Sequence, residues 1–180
     1  MRELAAITTP VDENVVCELH RRIVARSQPA IAGIYSRSPR RIAGSPVIFP
    51  NPAKIPRLME ELGAWLKAAP SEPASAFEGH YRLVSSHPFG DGNGRSARLL
   101  MNLMLIRGGY PPVAVRPEDR KAYLDSLERA SLAEDLTPYR ILMHRRLDAT
   151  LEEYLSALQE ALPQPDQTRS PNRKGHMPRG

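Results

Sequence analysis

The chain has 180 residues, a net charge of +5 and a single cysteine. This length suits one domain with a sizeable core, and the lone Cys17 excludes an internal disulfide. The N-terminus lacks the apolar run of a secretory signal, and the longest apolar stretch is far too short to span a bilayer. We therefore expect a cytoplasmic protein of one domain, with no membrane anchor and no disulfide framework.

The basic excess is concentrated at the C-terminus, where residues 163–180 carry four basic side chains and one acidic side chain. A segment rich in Pro, Gln, Arg and Gly cannot build a core. The body of the chain shows no basic stripe with interleaved aromatic residues, so nucleic-acid binding is not expected. We predict a folded domain over residues 1–162 and a disordered, basic, proline-rich tail over 163–180.

In the N-terminal half, apolar residues at helical spacing predict a first helix over residues 13–26, which Gln28 and Pro29 end. Over residues 31–48, glycines and prolines punctuate β-prone residues, a weak indication of a hairpin. Pro56 falls in the first turn of a second helix. The predicted buried face of that helix consists of Leu58, Met59, Leu62, Trp65 and Leu66.

In the C-terminal half, Phe77, Tyr81 and Val84 recur at helical spacing. A run from residue 96, apolar nearly all round, predicts a buried helix that Gly108 ends. Another helix is expected from Pro117. A long final helix is expected after an N-cap at Thr137, with Pro163 as its stop. The periodicity thus predicts an all-α protein with at most one small hairpin.

Residues 87–98 read HPFGDGNGRSAR and join the two central helices. Glycines at the start of a helix let backbone N–H groups point at an anion, and arginines supply planar donors for phosphate oxygens. Asp91 is a hard oxygen ligand of the kind Mg²⁺ prefers, and His87 can act as a proton acceptor near neutral pH. This combination suits a polyphosphate and a metal ion held beside a base.

The same residues also allow a purely structural interpretation. Asp-Gly and Asn-Gly pairs are typical of hairpin turns, so residues 91–94 could form only a tight turn. A hairpin needs alternating strands on both sides, and neither flank alternates. His87 or Arg98 alone would more often be structural or solvated. The whole constellation is what favours a functional site.

The stretch HPFGDGNGRSAR matches in full the pattern His-x-Phe-x-Asp/Glu-Gly-Asn-Gly-Arg-x-x-Arg, and so resembles Fic domains. Further similarity to the core of Fic domains lies in the strings ELHRR, AGIY, FPNP, HYRLV and GYPP. The resemblance covers roughly residues 7–160. It implies a Fido-type helical domain with one small β-hairpin flap over the active site. It also implies an enzyme that transfers AMP from ATP to a protein hydroxyl, with Mg²⁺.

Within the signature, we expect His87 to be the general base and Asp91 to hold Mg²⁺ between the α- and β-phosphates. The expected phosphate contacts are Gly92, Asn93 (backbone and side-chain amide), Gly94, Arg95, Ser96 and Arg98. Lys stands at the position of Gly94 in relatives that act as kinases, so Gly94 favours nucleotide transfer.

The resemblance alone implies the remaining contacts. Residues Arg41, Ile42, Ala43 and Gly44 match the flap strand that lines the nucleotide and aligns the target's backbone by strand addition. Tyr123 matches an aromatic residue near the base. Leu124 stands where close relatives often have a second Tyr, and Ser131 where relatives have Asn. These two departures leave the nucleotide preference open.

Two alternatives stay open beside adenylyl transfer. One keeps the fold and removes AMP from a modified protein, and the other is a binding module or toxin–antitoxin component without transfer. The expected partners are a target protein with an exposed hydroxyl and a separate antitoxin that supplies an inhibitory Glu. The oligomeric state is undetermined, and delivery into a host cell as an effector is compatible with the sequence.

Residues 9–14 fit the string Ser/Thr-x-x-x-Glu-Gly/Asn, which restrains many Fic proteins through a Glu that pairs with the second arginine of the signature. A short, loose pattern recurs easily, Pro10 lies inside it, and the segment aligns with the helix before the flap. We interpret the match as accidental, so Glu13 should not restrain Arg98.

Replacing Glu13→Gly should therefore change auto-modification little, because Glu13 does not block the nucleotide. The measurement is the rate of self-labelling with labelled ATP. A tenfold rise would correspond to about 1.4 kcal/mol of relieved restraint and would contradict this interpretation.

Overall fold

The structure is a computed structural model, and it describes residues 10–161. Six α-helices account for most of this part of the chain, as the periodicity predicted. Three single 3₁₀ turns precede or follow them, at Pro29–Ile31, Pro52–Lys54 and Pro117–Asp119. The helices are α1 (Glu13–Val24), α2 (Ile55–Ala68), α3 (Pro73–Ser86), α4 (Asn93–Arg107), α5 (Arg120–Ala133) and α6 (Thr137–Ala161).

Helices α3 and α4 form the centre of the molecule and share its largest helix–helix contact. Helices α1 and α2 pack against one side of this pair and bury a cluster that includes Leu19, Met59 and Leu100. Helices α5 and α6 pack against the other side, around Met101 and Tyr139. Helix α4 therefore has apolar neighbours on both sides, which explains why its sequence is apolar nearly all round.

Two helix starts are fixed by aspartate side chains. The carboxylate of Asp12 accepts the backbone N–H groups of Asn14 and Val15 at 2.9 and 3.1 Å and caps α1. At α6 the acceptor is Asp135, which takes the N–H of Thr137 at 3.0 Å. The prediction that Thr137 is the N-cap was wrong, because Thr137 is itself the first residue of α6 and an N-cap residue precedes the helix. Asp135 provides that hydrogen bond instead.

The predicted β-hairpin over residues 31–48 does not form paired strands in the described part of the chain. It makes one isolated bridge, between Tyr35 and Phe89, and one turn, in which the Ser45 N–H bonds to the Ile42 carbonyl at 3.1 Å. Pro39 and Pro46 lack the N–H groups that a strand ladder needs, which accounts for the absence of pairing. Residues 42–49, called here the flap segment, form a loop that begins with this turn.

No helix within residues 10–161 is long and apolar enough to cross a membrane. The predicted disordered tail and the stop at Pro163 lie outside the described residues.

Candidate active site

The turn after α3 places His87 at the edge of the central helix pair. His87 caps α3 in the left-handed region, with φ 45° and ψ 52°, and its N–H bonds to the Leu83 carbonyl at 3.1 Å. A non-glycine residue in this region costs about 1–2 kcal/mol, which the surrounding packing must offset. The reversal sends Phe89 into the core, where it is fully buried and stacks on His20 with ring centroids 3.8 Å apart.

A reciprocal pair of hydrogen bonds closes the loop between α3 and α4. The Phe89 N–H donates to Asn93 Oδ1 at 2.9 Å, and Asn93 Nδ2 donates to the Phe89 carbonyl at 2.9 Å. Asn93 is only 3% exposed. Both polar atoms of its side-chain amide therefore bond to the backbone of Phe89. The prediction that this amide contacts phosphate was wrong. The backbone N–H of Asn93 is what it can offer to an anion.

Helix α4 begins directly on this loop. Gly92 precedes its first residue with φ 77°, a conformation that glycine adopts without strain. The N–H groups at the start of an α-helix have no partner within the helix, so those of Asn93, Gly94 and Arg95 are available to a ligand. Together with the helix dipole they suit an anion such as phosphate.

Asp91 is held as an ionised carboxylate at this helix start. It accepts the Gly92 N–H at 2.6 Å, Gln28 Nε2 at 2.7 Å and an Arg95 guanidinium nitrogen at 3.0 Å. The Gly92 N–H lowers the pKa of the carboxyl most, with Gln28 and Arg95 acting in the same direction. In this structure Arg95 is thus paired with Asp91, and contact with phosphate requires that it leave this partner.

The chemistry of Asp91 fits a magnesium ion. No group of three His, Cys, Asp or Glu side chains within residues 10–161 gathers to form a protein-only metal cage. Mg²⁺ usually binds through one or two carboxylates and the phosphates of its substrate, so one half-exposed, ionised carboxylate beside a phosphate site is an adequate protein contribution.

His20 supports the loop from α1. Its Nδ1 accepts the Gly33 N–H at 2.9 Å, so the ring proton lies on Nε2, which is 3.0 Å from the Asp91 carbonyl oxygen. This neutral ring is fully buried, and burial lowers its pKa. His20 therefore fixes the backbone of Asp91 while its ring packs against Phe89.

The imidazole of His87 is kept neutral. The Phe49 ring stacks on it with centroids 3.9 Å apart and an interplanar angle of 26°. Burial lowers the pKa of His87 most, the Val84 carbonyl opposes this effect, and the Arg40 charge adds a smaller lowering. Nδ1 is buried and meets no partner at full hydrogen-bond geometry in the described residues. Nε2 is thus the nitrogen that remains for a substrate.

A cavity of about 680 Å³ opens beside His87, between the loop, α5 and the flap segment. Thirteen of the fifteen residues singled out by sequence line it. They are Ile42, Ala43, Gly44, His87, Asp91, Gly92, Asn93, Gly94, Arg95, Arg98, Tyr123, Leu124 and Ser131.

Two predicted contacts lie elsewhere. Ser96 is 0% exposed because its position on α4 turns it into the interior, and it does not line the cavity. Arg41, which directly precedes the flap segment, is exposed and does not line the cavity either. Neither residue contacts a ligand in this cavity without a rearrangement.

Sequence reasoning missed several lining residues. Phe49, Arg120, Asp125 and Glu128 belong to the cavity wall, and the Ser45 hydroxyl bonds to Glu128 Oε2 at 3.0 Å across it. Helical spacing from Leu124 would have found Glu128, which lies one turn further along the same face. No sequence signal pairs Phe49 with His87.

Arg98 reaches back along α4 towards the loop. A Cβ atom added to Gly94 would lie 3.4 Å from Arg98 Nη1, so the guanidinium lies over the start of the helix. Glu13 is remote from it, because its side chain packs over Gly63 on α2 and does not line the cavity. This placement agrees with the interpretation that Glu13 does not restrain Arg98.

Comparison with known proteins identifies a family whose members share the sequence around this site. The family described as "Fic/DOC family" matches residues 10–105, more than half of the chain and including the whole loop. The chain belongs to the Fic/DOC family. The family match thus spans His87, Asp91 and both arginines of the loop, and it ends inside α4.

Curated Fic/DOC relatives are similar over most of this chain. Those from Culex quinquefasciatus and Drosophila melanogaster, both named "Protein adenylyltransferase Fic", are 38% and 36% identical over 147 and 166 residues. These alignments cover 79% and 89% of this chain but 29% and 33% of the relatives. The chain thus spans about a third of the length of the curated relatives it matches.

Solved structures agree with the Fic fold. Fic-1 from C. elegans superposes with a TM-score of 0.75 at 30% identity, covering 85% of this chain and 46% of that one. A Fic domain containing signaling protein from Bacteroides thetaiotaomicron gives a TM-score of 0.76 at 27% identity, covering 91% and 69%.

Replacing Asn93→Ala in this Fic loop should lower the free energy of unfolding by about 2–4 kcal/mol, because it leaves the buried N–H and carbonyl of Phe89 unpaired. The measurement is urea unfolding. Asn102→Ala is the matched control, since Asn102 makes the same reciprocal pair with Val113, at 3.1 and 2.8 Å, outside the cavity. Both variants should lose stability, and only Asn93→Ala should also weaken ATP binding. Parental stability of Asn93→Ala would contradict the role of this pair.

Proposed function

We propose that this protein transfers AMP from ATP to a Ser, Thr or Tyr hydroxyl of a target protein and releases pyrophosphate. The observation that carries the proposal is a neutral His87 on the wall of the same cavity as the ionised Asp91 and the open start of α4. The name "Protein adenylyltransferase Fic" of relatives about 36% identical supports it.

His87 acts as the general base in this reaction. Its neutral Nε2 takes the proton of the target hydroxyl while the oxygen attacks the α-phosphorus, and the P–O bond to pyrophosphate breaks. Phe49 holds the ring from one face, and the left-handed turn fixes its backbone. The base is therefore positioned before substrate arrives, which lowers the entropic part of the barrier.

The start of α4 binds the phosphates. Backbone N–H groups of Asn93, Gly94 and Arg95 donate to phosphate oxygens, and Arg98 lies over Gly94 to reach the terminal phosphates. A longer side chain at position 94 would meet the Arg98 guanidinium, so Gly94 keeps this path open. Asp91 would hold Mg²⁺, which supplies charge neutralisation for the departing pyrophosphate.

The adenine base of ATP and the target protein bind on opposite walls of the cavity. Tyr123, Leu124 and Ser131 on α5 line one wall and receive the adenine and ribose. The flap segment forms the other wall and lies at the surface without a strand partner, with Ile48 76% exposed. A target segment that adds to this backbone places its hydroxyl before His87.

The proposed source of inhibition is a separate antitoxin or an upstream segment of a longer protein. A carboxylate supplied against Arg98 would occupy the place of the terminal phosphates. We place the reaction in a cytoplasm, either that of the producing cell or that of a host into which the protein is delivered, because ATP and target proteins meet there.

His87→Ala should abolish transfer while ATP still binds, because the base acts in the chemical step and not in phosphate recognition. The measurement is incorporation of labelled AMP into proteins of a cell lysate, with calorimetry of ATP binding alongside. Labelling by His87→Ala at the parental rate would contradict the assignment of His87 as the general base. Loss of label from a modified target, without any incorporation, would support AMP removal instead.

The pH profile should report the lowered pKa of His87. Protonated His87 cannot accept a proton, so kcat/KM should be constant near pH 7 and fall only below pH 6.5, the ordinary midpoint of the side chain. Arg40→Ala should move the acid limb upward, because the Arg40 charge disfavours the imidazolium. Arg57→Ala, which removes an exposed cation paired with Glu61, is the control. An acid limb centred above pH 6.5 would contradict the prediction.

A further inference from the structure

A buried chain of hydrogen bonds runs from the cavity wall into the core between α3, α5 and α6. His80 on α3 is 0% exposed and contacts a tyrosine hydroxyl with each ring nitrogen. The Tyr123 hydroxyl lies 2.9 Å from Nε2, and the Tyr139 hydroxyl lies 2.9 Å from Nδ1. The Tyr139 hydroxyl also lies 3.1 Å from the Phe77 carbonyl oxygen. Four groups are thus linked in one line.

The two ends of this line decide where each proton lies. The Phe77 carbonyl can only accept, so the Tyr139 hydroxyl donates to it and accepts the Nδ1–H of His80. Nε2 then carries no proton and accepts the hydroxyl proton of Tyr123. A doubly protonated ring would have no acceptor to offer Tyr123. Burial, with the nearby Arg98 charge, lowers the pKa of His80 to about 3, which agrees with a neutral ring.

Arg98 lies at the outer end of the line. It lines the cavity together with Tyr123, and its charge and its contact with the Tyr123 hydroxyl oppose the rise that burial causes in the pKa of Tyr123. Because the proton of Tyr123 is committed to His80, its oxygen can only accept from this guanidinium. A guanidinium carries five N–H donors, so one that donates to Tyr123 can also bind an anion.

We propose that His80 is a positioning residue of the nucleotide site, fixed in the neutral Nδ1–H tautomer by Tyr139, so that the Tyr123 oxygen holds Arg98 towards the phosphates. The proposal rests on ATP as the ligand of the cavity. Any buried histidine needs partners on its ring nitrogens. What marks His80 is that its Nε2 partner, Tyr123, lies on the cavity wall together with Arg98.

A double-mutant cycle tests the relay. Tyr139→Phe removes one oxygen far from the cavity, leaves the ring in place and frees the Nδ1–H of His80. It should weaken ATP binding about three- to tenfold in the parent by calorimetry, and change it by less than about 1.5-fold when Arg98 is already replaced by Ala. Equal weakening in both backgrounds, or none in the parent, would overturn the proposal.

Tyr81→Phe is the matched control for loss of a tyrosine oxygen. The Tyr81 ring packs against Tyr139 with centroids 6.3 Å apart, and its hydroxyl is recorded in no hydrogen bond of the described residues. It should leave ATP affinity within about 1.5-fold of the parent. A loss as large as that of Tyr139→Phe would show that packing, and not the relay, sets the affinity.

Nuclear magnetic resonance of the ¹⁵N-labelled protein without nucleotide separates this proposal from the proposed function. The His80 ring should show a protonated Nδ1 and an unprotonated Nε2, and Arg98 should show slow rotation of its guanidinium that Tyr139→Phe speeds up. An Nε2–H tautomer, or rotation unaffected by Tyr139→Phe, would overturn the relay. A parent protein that binds no ATP while showing both signatures would sink the proposed function and leave the positioning role supported.

Discussion

The buried backbone of Phe89 is the constraint on which the active-site loop depends. Its N–H and carbonyl lie in the core, where unpaired polar groups are costly, and Asn93 satisfies both. This pair forces the chain to return within four residues, so α4 starts immediately after the turn. The start of α4 and the His87 ring then face the same cavity. The arrangement of the site therefore follows from the need to pair the buried N–H and carbonyl of Phe89 with hydrogen-bond partners.

Three histidines surround this cavity, and each is neutral for its own reason. His20 has its proton on Nε2 and fixes the Asp91 carbonyl, whereas His80 has its proton on Nδ1 and orients Tyr123. His87 is kept neutral mainly by burial, with Nε2 left for a substrate. None of the three adds a positive charge to the site: its acidic side chains are Asp91 at the loop and Asp125 and Glu128 on α5, and its positive charge comes from arginines and the helix dipole.

Much of this arrangement was predictable from sequence, and the failures share one cause. Periodicity located the helices, and the loop of residues 87–98 identified the part of the cavity wall around His87 and the start of α4, because both signals are local. The bond from Gln28 to Asp91 joins residues 63 apart, and the stack of Phe49 on His87 is also long-range. The inward turn of Ser96 and the use of the Asn93 amide depend on neighbours that only the folded chain supplies.

The flap segment is attached differently from the rest of the site. Its principal anchors are the Phe49 stack and one hydrogen bond from Ser45 to Glu128, while Ile42 and Ile48 face solvent. Substitutions along it therefore cost little folding free energy, whereas substitutions in the loop disturb the core. Under the proposed function, variation in the flap segment would alter the surface that a target contacts and leave the residues around His87 unchanged. One reaction could in this way be directed to different targets through a few surface positions.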